Sequence, residues 1–171
     1  MLDIQIKKST PEDIREIMNC IDFARQLMRN DGNLIQWTNG YPSEELMLDS
    51  IKKGFNYLIL KDNEILATFD FIIDEDPNYS FIKDGNWLNN EKYGVIHRLA
   101  SNGKAKGVAR FCLEWCFSQF RNIRIDTHET NLAMQKVLKN LGYTKCGIIY
   151  VADGTARVGF QKFISDLHNF S

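Results

Sequence analysis

Ile96-His97-Arg98-Leu99-Ala100-Ser101-Asn102-Gly103-Lys104-Ala105-Lys106-Gly107-Val108-Ala109 is the stretch on which the reading of this chain turns. An apolar strand over Val95 to Ala100 runs into a short loop with glycine and lysine, and the loop opens directly into a helix at Gly107. The first N–H groups of a helix have no partner inside it and carry the positive end of its dipole, so this arrangement is an anion cradle. Gly107 and Ala109 have little or no side chain, which lets phosphate oxygens approach the backbone, and Lys104 and Lys106 add charge. Glycine and lysine ahead of a helix also suit an ordinary capped helix, and the stretch alone leaves both readings open. It is too short for a Walker loop and lacks the spacing G-x-G-x-x-G.

The segments on either side supply the architecture. Ile4 and Ile6 alternate with polar residues as a first strand. Thr10-Pro11-Glu12-Asp13 reads as a helix start, with Ile14, Ile17, Met18, Ile21, Ala24 and Met28 at helical spacing up to Asn30-Asp31-Gly32. Residues 33–42 form a loop, and Ser43 caps a second helix that runs to Gly54. Strands follow at Phe55 to Leu60 and Ile65 to Ile73, joined by a tight turn at Asp62-Asn63. Asp74 to Lys92 is polar and turn-rich yet holds Tyr79, Phe81 and Trp87, so it reads as an ordered excursion over the sheet. After the helix from Gly107 to Phe120 come a strand over Ile123 to Thr127 and a helix with Met134, Val137, Leu138 and Leu141 on one face. A hairpin from Gly147–Val151 to Ala156–Phe160 closes the chain, with a two-residue turn expected at Asp153-Gly154. The order β-α-α-β-β-β-α-β-α-β-β predicts a mixed α/β (α+β) sandwich: a central sheet of about six to seven strands flanked by about four helices.

At 171 residues the chain is one domain's worth, read as a single domain over residues 1–171. Its 21 basic and 22 acidic residues give a net charge of −1, which argues against the basic stripe of a nucleic-acid binder. No polybasic run points to a membrane surface, no apolar run approaches a membrane span, and Met1-Leu2-Asp3-Ile4-Gln5-Ile6-Lys7 holds no apolar core of signal-peptide length. A cytoplasmic protein is the expectation. Cys112 and Cys116 stand four apart in a run rich in Phe, Leu and Trp, so they read as reduced core residues rather than metal ligands.

Lys104-Ala105-Lys106-Gly107-Val108-Ala109 resembles the Q/R-x-x-G-x-G/A motif of the GNAT acetyltransferases. About 25 residues on, Asp126-Thr127-His128-Glu129-Thr130-Asn131 and a helix closing with Leu141-Gly142-Tyr143 are similar to that family's N-x-x-A-x-x-x-Y-x-x-x-G-F segment. The element order matches over nearly the whole chain. Ala24-Arg25-Gln26, Trp37, Gly40-Tyr41-Pro42 and Gly94-Val95-Ile96-His97-Arg98 resemble one bacterial group of the family whose acceptors are mostly unassigned. The resemblance implies an N-acetyltransferase that takes acetyl-CoA as acetyl donor and an amine as acceptor, with no metal. It implies that the strand segment Arg98, Leu99, Ala100 and Ser101 meets the pantetheine arm, with Leu99 and Ser101 pairing through their backbones. Amides from Lys104 through Ala105, Lys106, Gly107, Val108 and Ala109 to Arg110 would hold the pyrophosphate, and Asn131 would contact the coenzyme arm. In the family the strand before the loop splays from its neighbour, so an N–H at Arg98 or Leu99 would stabilise the oxyanion. Two departures stand out: Lys104 replaces Gln or Arg, and Leu138 falls where the family has a tyrosine that protonates the leaving thiolate. Dimers are frequent in the family, and a homodimer stays open here.

An acceptor amine must lose a proton before it attacks, so a base is needed. His97, Asp126 and His128 are the candidates, and Tyr150 and Tyr143 are the phenols left to act as acid. His97 also suits a strand histidine bonded to a neighbour, His128 and Glu129 a solvated helix start, and Asp126 a partner for Arg98 or Arg124. Trp37, Tyr41, Asp70, Tyr79 and Trp87 are aromatic or acidic and mostly on loops, a set that would suit a cationic amine or, equally, core packing. A catalytically inactive acyl-CoA-binding module is the alternative that Leu138 motivates, and plain nucleotide binding is a third.

Overall fold

The structure is a computed structural model that describes residues 4–165. Met1-Leu2-Asp3, part of the stretch read for a signal peptide, lies outside the described residues. In chain order the elements are β1 (Ile4–Lys8), α1 (Ile14–Asn30), α2 (Glu44–Lys52), β2 (Asn56–Lys61), β3 (Glu64–Ile72) and β4 (Gly94–Ser101). There follow α3 (Val108–Gln119), β5 (Asn122–Thr127), α4 (Leu132–Asn140), β6 (Thr144–Tyr150) and β7 (Ala156–Phe163). The strands form a mixed seven-stranded sheet in the order β1-β2-β3-β4-β5-β7-β6, and with four helices this is the expected α/β class.

Two compact units divide the described residues, 4–71 with 97–112 and 72–96 with 113–165. In the first, β1 pairs antiparallel with β2 and β2 with β3. The tight turn forms at Asp62 and Asn63, both left-handed (φ 50° and 64°), as a hairpin matched to strand twist requires. Ser43 caps α2 by accepting from the Leu46 N–H at 3.2 Å. That helix stops at Lys52, two residues short of the expected Gly54, because Gly54 turns left-handed (φ 71°). Ile17, Cys20 and Ile21 of α1 and Met47 of α2 pack with Leu58 and Ala100 as the core, each at most 1% exposed. Fully burying a side chain such as Leu58 is worth about 1.5–3 kcal/mol.

In the second unit, β4 pairs in parallel with β5 at Gly94 with Ile123 and at Val95 with Arg124, and β7 lies antiparallel between β5 and β6. The excursion over 74–92 is ordered, as its aromatic content suggested. Tyr79, Tyr93, Val95 and Ile149 form a core against which Trp87 packs. Gln161, fully buried on β7, ties the excursion down: its carbonyl accepts from the Leu88 N–H at 2.8 Å, and its amide donates to Asn122 at 2.7 Å and Asn89 at 3.1 Å. The last hairpin departs from expectation. Val151 N–H reaches Thr155 C=O at 3.0 Å, so the loop is the three residues Ala152-Asp153-Gly154, not a two-residue turn. Gly154 takes the left-handed third position (φ 82°), and Asp153 accepts from the Thr155 N–H and hydroxyl. All four cysteines are buried and free, and burial pushes the Cys20 thiol up to about 11.

Candidate functional site

The loop from Ser101 to Gly107 is fastened on one side only. Asn102 donates from its N–H to Leu66 C=O at 2.9 Å and from its side chain to Ile65 C=O at 2.8 Å, which docks the loop on β3. The Asn102 side-chain oxygen accepts from the Lys104 N–H at 3.1 Å and the Ser101 hydroxyl from the Gly103 N–H at 3.3 Å. Beyond that the satisfaction stops. Among the described residues, the backbone amides of Ala105, Lys106, Gly107, Val108 and Ala109 donate to no protein group. Gly107 is left-handed (φ 78°), and a Cβ built on it would meet nothing within 4 Å. A row of amides without protein partners at a helix start, beside an exposed glycine, is chemically fit for a phosphate or pyrophosphate group. Gly103 differs: it is also left-handed (φ 76°), but a Cβ there would lie 2.3 Å from the Phe23 ring. The Lys104 ammonium is paired with Glu64, and that hydrogen bond and charge raise its pKa. Lys106 and Arg110 are exposed.

Just upstream, β4 contains a kink. Arg98 has φ 52° in the middle of the strand. Its guanidinium is bound to Asp70, with Nε 2.6 Å and Nη2 2.5 Å from Oδ2, while Nη1 donates to the Tyr41 hydroxyl at 3.3 Å. Burial pulls the Arg98 pKa down, but the charge of Asp70 and the Tyr41 contact outweigh it, and the net direction is upward. Asp70 is 0% exposed and also accepts from Asn56 at 2.7 Å. Asn56 faces Asp70 across the β2–β3 pair and bonds Thr68 and Ser9. Three residues read separately in the sequence, Tyr41 and Asp70 as acceptor-binding and Arg98 as coenzyme-binding, are thus joined in one network.

Tyr41 is delivered by a loop whose backbone is heavily constrained. Trp37 (φ 55°), Asn39 (φ 54°) and Gly40 (φ 75°) are left-handed and the Tyr41–Pro42 peptide is cis. Arg25, one helical turn before Arg29 on α1, donates to the carbonyls of Gly40, Tyr41 and Pro42, and Arg29 to those of Asn33 and Trp37. Trp37 packs on the core of its unit. Arg25 entered the sequence reading only as part of the family resemblance and Arg29 not at all; neither was a candidate site residue. The usable signal was two arginines four apart ahead of a loop rich in glycine and asparagine.

In the second unit the structure joins Asp126 to Tyr79, whose phenol donates to Oδ2 at 2.7 Å. Tyr79 is 1% exposed, and burial, then the charge and hydrogen bond of Asp126, hold its pKa well above the usual range. Trp87 donates from its indole N–H to Tyr79 C=O at 2.9 Å, and its ring lies 5.2 Å from that of Tyr79. Arg124 stacks 4.5 Å from Trp87 and 4.0 Å from Tyr93. His128 is buried, and its Nδ1 accepts the Thr130 N–H at 3.2 Å. A backbone N–H can only donate, so neutral His128 carries its proton on Nε2. Burial, then the charge of Arg157, lowers its pKa. Asn131 caps α4 by accepting from the Met134 N–H at 3.1 Å. Leu138 is 0% exposed and Tyr150 is 41% exposed. His97 is half-buried on β4, next to the kink. Among the described residues no cluster of His, Cys, Asp and Glu could hold a metal, and no helix is long and apolar enough to cross a membrane.

No protein-family profile and no curated protein sequence matches the chain. Solved structures do. The chain is similar to a GNAT-family acetyltransferase from Streptococcus agalactiae at 29% identity, covering 97% of this chain and 99% of that one, with a TM-score of 0.87. It is similar in fold to a GNAT-family acetyltransferase from Listeria monocytogenes at 14% identity, with 95% and 96% covered and a TM-score of 0.72. A chain of the NatC complex, solved with Gag peptide and CoA, shares the fold at 12% identity, with 96% and 100% covered and a TM-score of 0.59.

Proposed function

Since the chain is a member of the GNAT acetyltransferase family, we propose that it moves an acetyl group from acetyl-CoA to a primary amine of a small molecule or peptide. The transfer would proceed by direct attack with both substrates bound. The observation that carries this reading is the row of unpartnered amides from Ala105 to Ala109 around open, left-handed Gly107. That row suits the pyrophosphate of the coenzyme, with Lys106 and Arg110 adding charge and Leu99 and Ser101 offering strand backbone to the pantetheine arm. Asn131 contributes on the same proposal from the start of α4.

The chemistry is acyl transfer. The amine nitrogen bonds to the acyl carbon as the carbon–sulfur bond breaks, and CoA leaves as thiolate. The backbone N–H at Arg98 or Leu99 stabilises the developing oxyanion. Among the base candidates, His128 is the weakest, because its one neutral lone pair already accepts from Thr130. His97, beside the kink, takes the amine proton, and Asp126 is oriented by the Tyr79 phenol. Tyr150, exposed on β6, is the phenol available to the thiolate. On the same proposal Trp37, Tyr41, Asp70, Tyr79 and Trp87 serve the acceptor, Asp70 through its bond to Arg98.

The test is thiol release by purified protein from acetyl-CoA across a panel of amines that includes peptide N-termini and polyamines. Release above the hydrolysis rate with at least one amine is expected. A second reading, an inactive acyl-CoA-binding module, is favoured by one observation: the family's tyrosine position is Leu138, sealed in the core. Tight acetyl-CoA binding without turnover on any amine supports that module. Binding of ATP as tight as that of acetyl-CoA, measured by calorimetry, defeats both.

A further inference from the structure

Among the described residues, six non-glycine residues are left-handed: Trp37, Asn39, Asp62, Asn63, Asp84 and Arg98. Five lie in loops or turns, and four of those are Asn or Asp, which tolerate the conformation. Arg98 alone lies inside a strand, and nothing in its own chemistry favours φ 52°. Such a conformation persists only where the surroundings impose it.

The side chain supplies that imposition. Arg98 is fixed by Asp70 through Nε and Nη2 and by Tyr41 through Nη1. Each anchor is itself anchored. Asp70 is held by Asn56 on β2, which in turn bonds Thr68 on β3 and Ser9 after β1. Tyr41 sits in the loop whose carbonyls Arg25 grips. A guanidinium locked this completely is a poor substrate ligand and an effective handle on the backbone to which it is joined. We infer that Arg98 is a positioning residue: its grip on Asp70 and Tyr41 holds the left-handed kink of β4, which fixes where the backbone groups of Leu99 and Ser101 point. The inference rests on the proposed coenzyme reading, in which those groups meet the pantetheine arm.

The roles separate by comparing glycine with alanine at position 98. If Arg98 touched a ligand, both truncations would lose the contact alike. If its task is to hold φ 52°, glycine adopts that angle freely and alanine does not. The comparison is made with Asp70→Asn, so that no buried carboxylate is left unpaired. Two probes are titrated by calorimetry into the full chain: CoA, and 3′-phospho-ADP, which lacks the pantetheine arm. Asp70→Asn/Arg98→Ala is expected to bind CoA about 5- to 30-fold more weakly than Asp70→Asn/Arg98→Gly, the ratio that corresponds to 1–2 kcal/mol of left-handed strain. The two should bind 3′-phospho-ADP equally. Equal CoA affinities, or a weaker glycine variant, overturn the inference while leaving the coenzyme reading intact. A wild-type chain that binds neither probe defeats that reading and this inference with it. Should the double variants not fold, Arg98→Lys keeps the charge opposite Asp70 but drops the fork and the Tyr41 contact. It should weaken CoA alone; no change, or equal loss of both probes, overturns the inference.

Discussion

Gly107→Glu tests the cradle most directly, and its size can be worked out beforehand. A Cβ at Gly107 meets nothing within 4 Å, so a longer side chain fits without a clash. The backbone there has φ 78°, and any L-residue at that angle is strained by about 1–2 kcal/mol. Gly107→Ala carries the same strain and no charge, which makes it the control. In Gly107→Glu the carboxylate stands beside the proposed pyrophosphate. At a separation of about 4 Å, one pair of like charges repels by about 1 kcal/mol in a watery setting and about 4 kcal/mol at a protein surface. The Kd for CoA, read by calorimetry, should therefore rise by about 5-fold at least and about 1,000-fold at most relative to Gly107→Ala. Added salt should narrow the gap, because exposed charges are screened. Both variants should lose similar stability in urea. Equal CoA affinity in the two variants would refute the reasoning, since the diphosphate would then lie elsewhere.

Other perturbations follow from the same geometry. The His128 pKa is lowered in the fold, so on acidification the unfolded chain takes up its proton first; stability should fall as pH drops from about 6.5 toward the folded value. His128→Asn, which can still accept from Thr130 N–H, should flatten that part of a urea-unfolding profile against pH; an unchanged slope would count against the assignment. Gly103→Ala should lower the melting temperature, because its methyl would lie 2.3 Å from the Phe23 ring at φ 76°. Adding Phe23→Ala should recover the clash but not the strain of about 1 kcal/mol, and full recovery would show the strain to be absent. Leu138→Tyr restores the family's phenol at a fully buried position, so it should cost about 1–3 kcal/mol by overpacking and leave turnover no faster. Faster thiol release would show that position 138 reaches the reacting atoms.

Much of the loop proposed as the cradle was legible as a structural unit because its parts are contiguous. Strand, loop and helix start fall within fourteen residues, and unpaired amides at a helix start are a consequence of helix geometry rather than of distant packing. What the stretch could not show was that Lys104 would spend its charge on Glu64, forty positions away, or that Gly103 and Gly107 meet opposite surroundings. The candidate acceptor residues were less legible for a related reason. Tyr41, Asp70 and Tyr79 are polar or aromatic positions that suit a ligand or an internal partner equally well. Asp70 is drawn to Arg98 and Tyr79 to Asp126 by residues 28 and 47 positions along the chain.

Read on its own, the chain specified the element order, the mixed sheet, the buried face of α1, the turn at Asp62-Asn63 and a loop that opens straight into α3. Those follow from periodicity, caps and turn chemistry, which act over a few neighbouring residues. The left-handed turn of β4 at Arg98, the network of Asn56, Asp70, Arg98 and Tyr41, and the fastening of 74–92 by Gln161 emerge only from the folded chain. An arginine in a strand carries no local instruction to turn left-handed. That instruction comes from a buried carboxylate on another strand, and such a pairing exists only once the strands have come together.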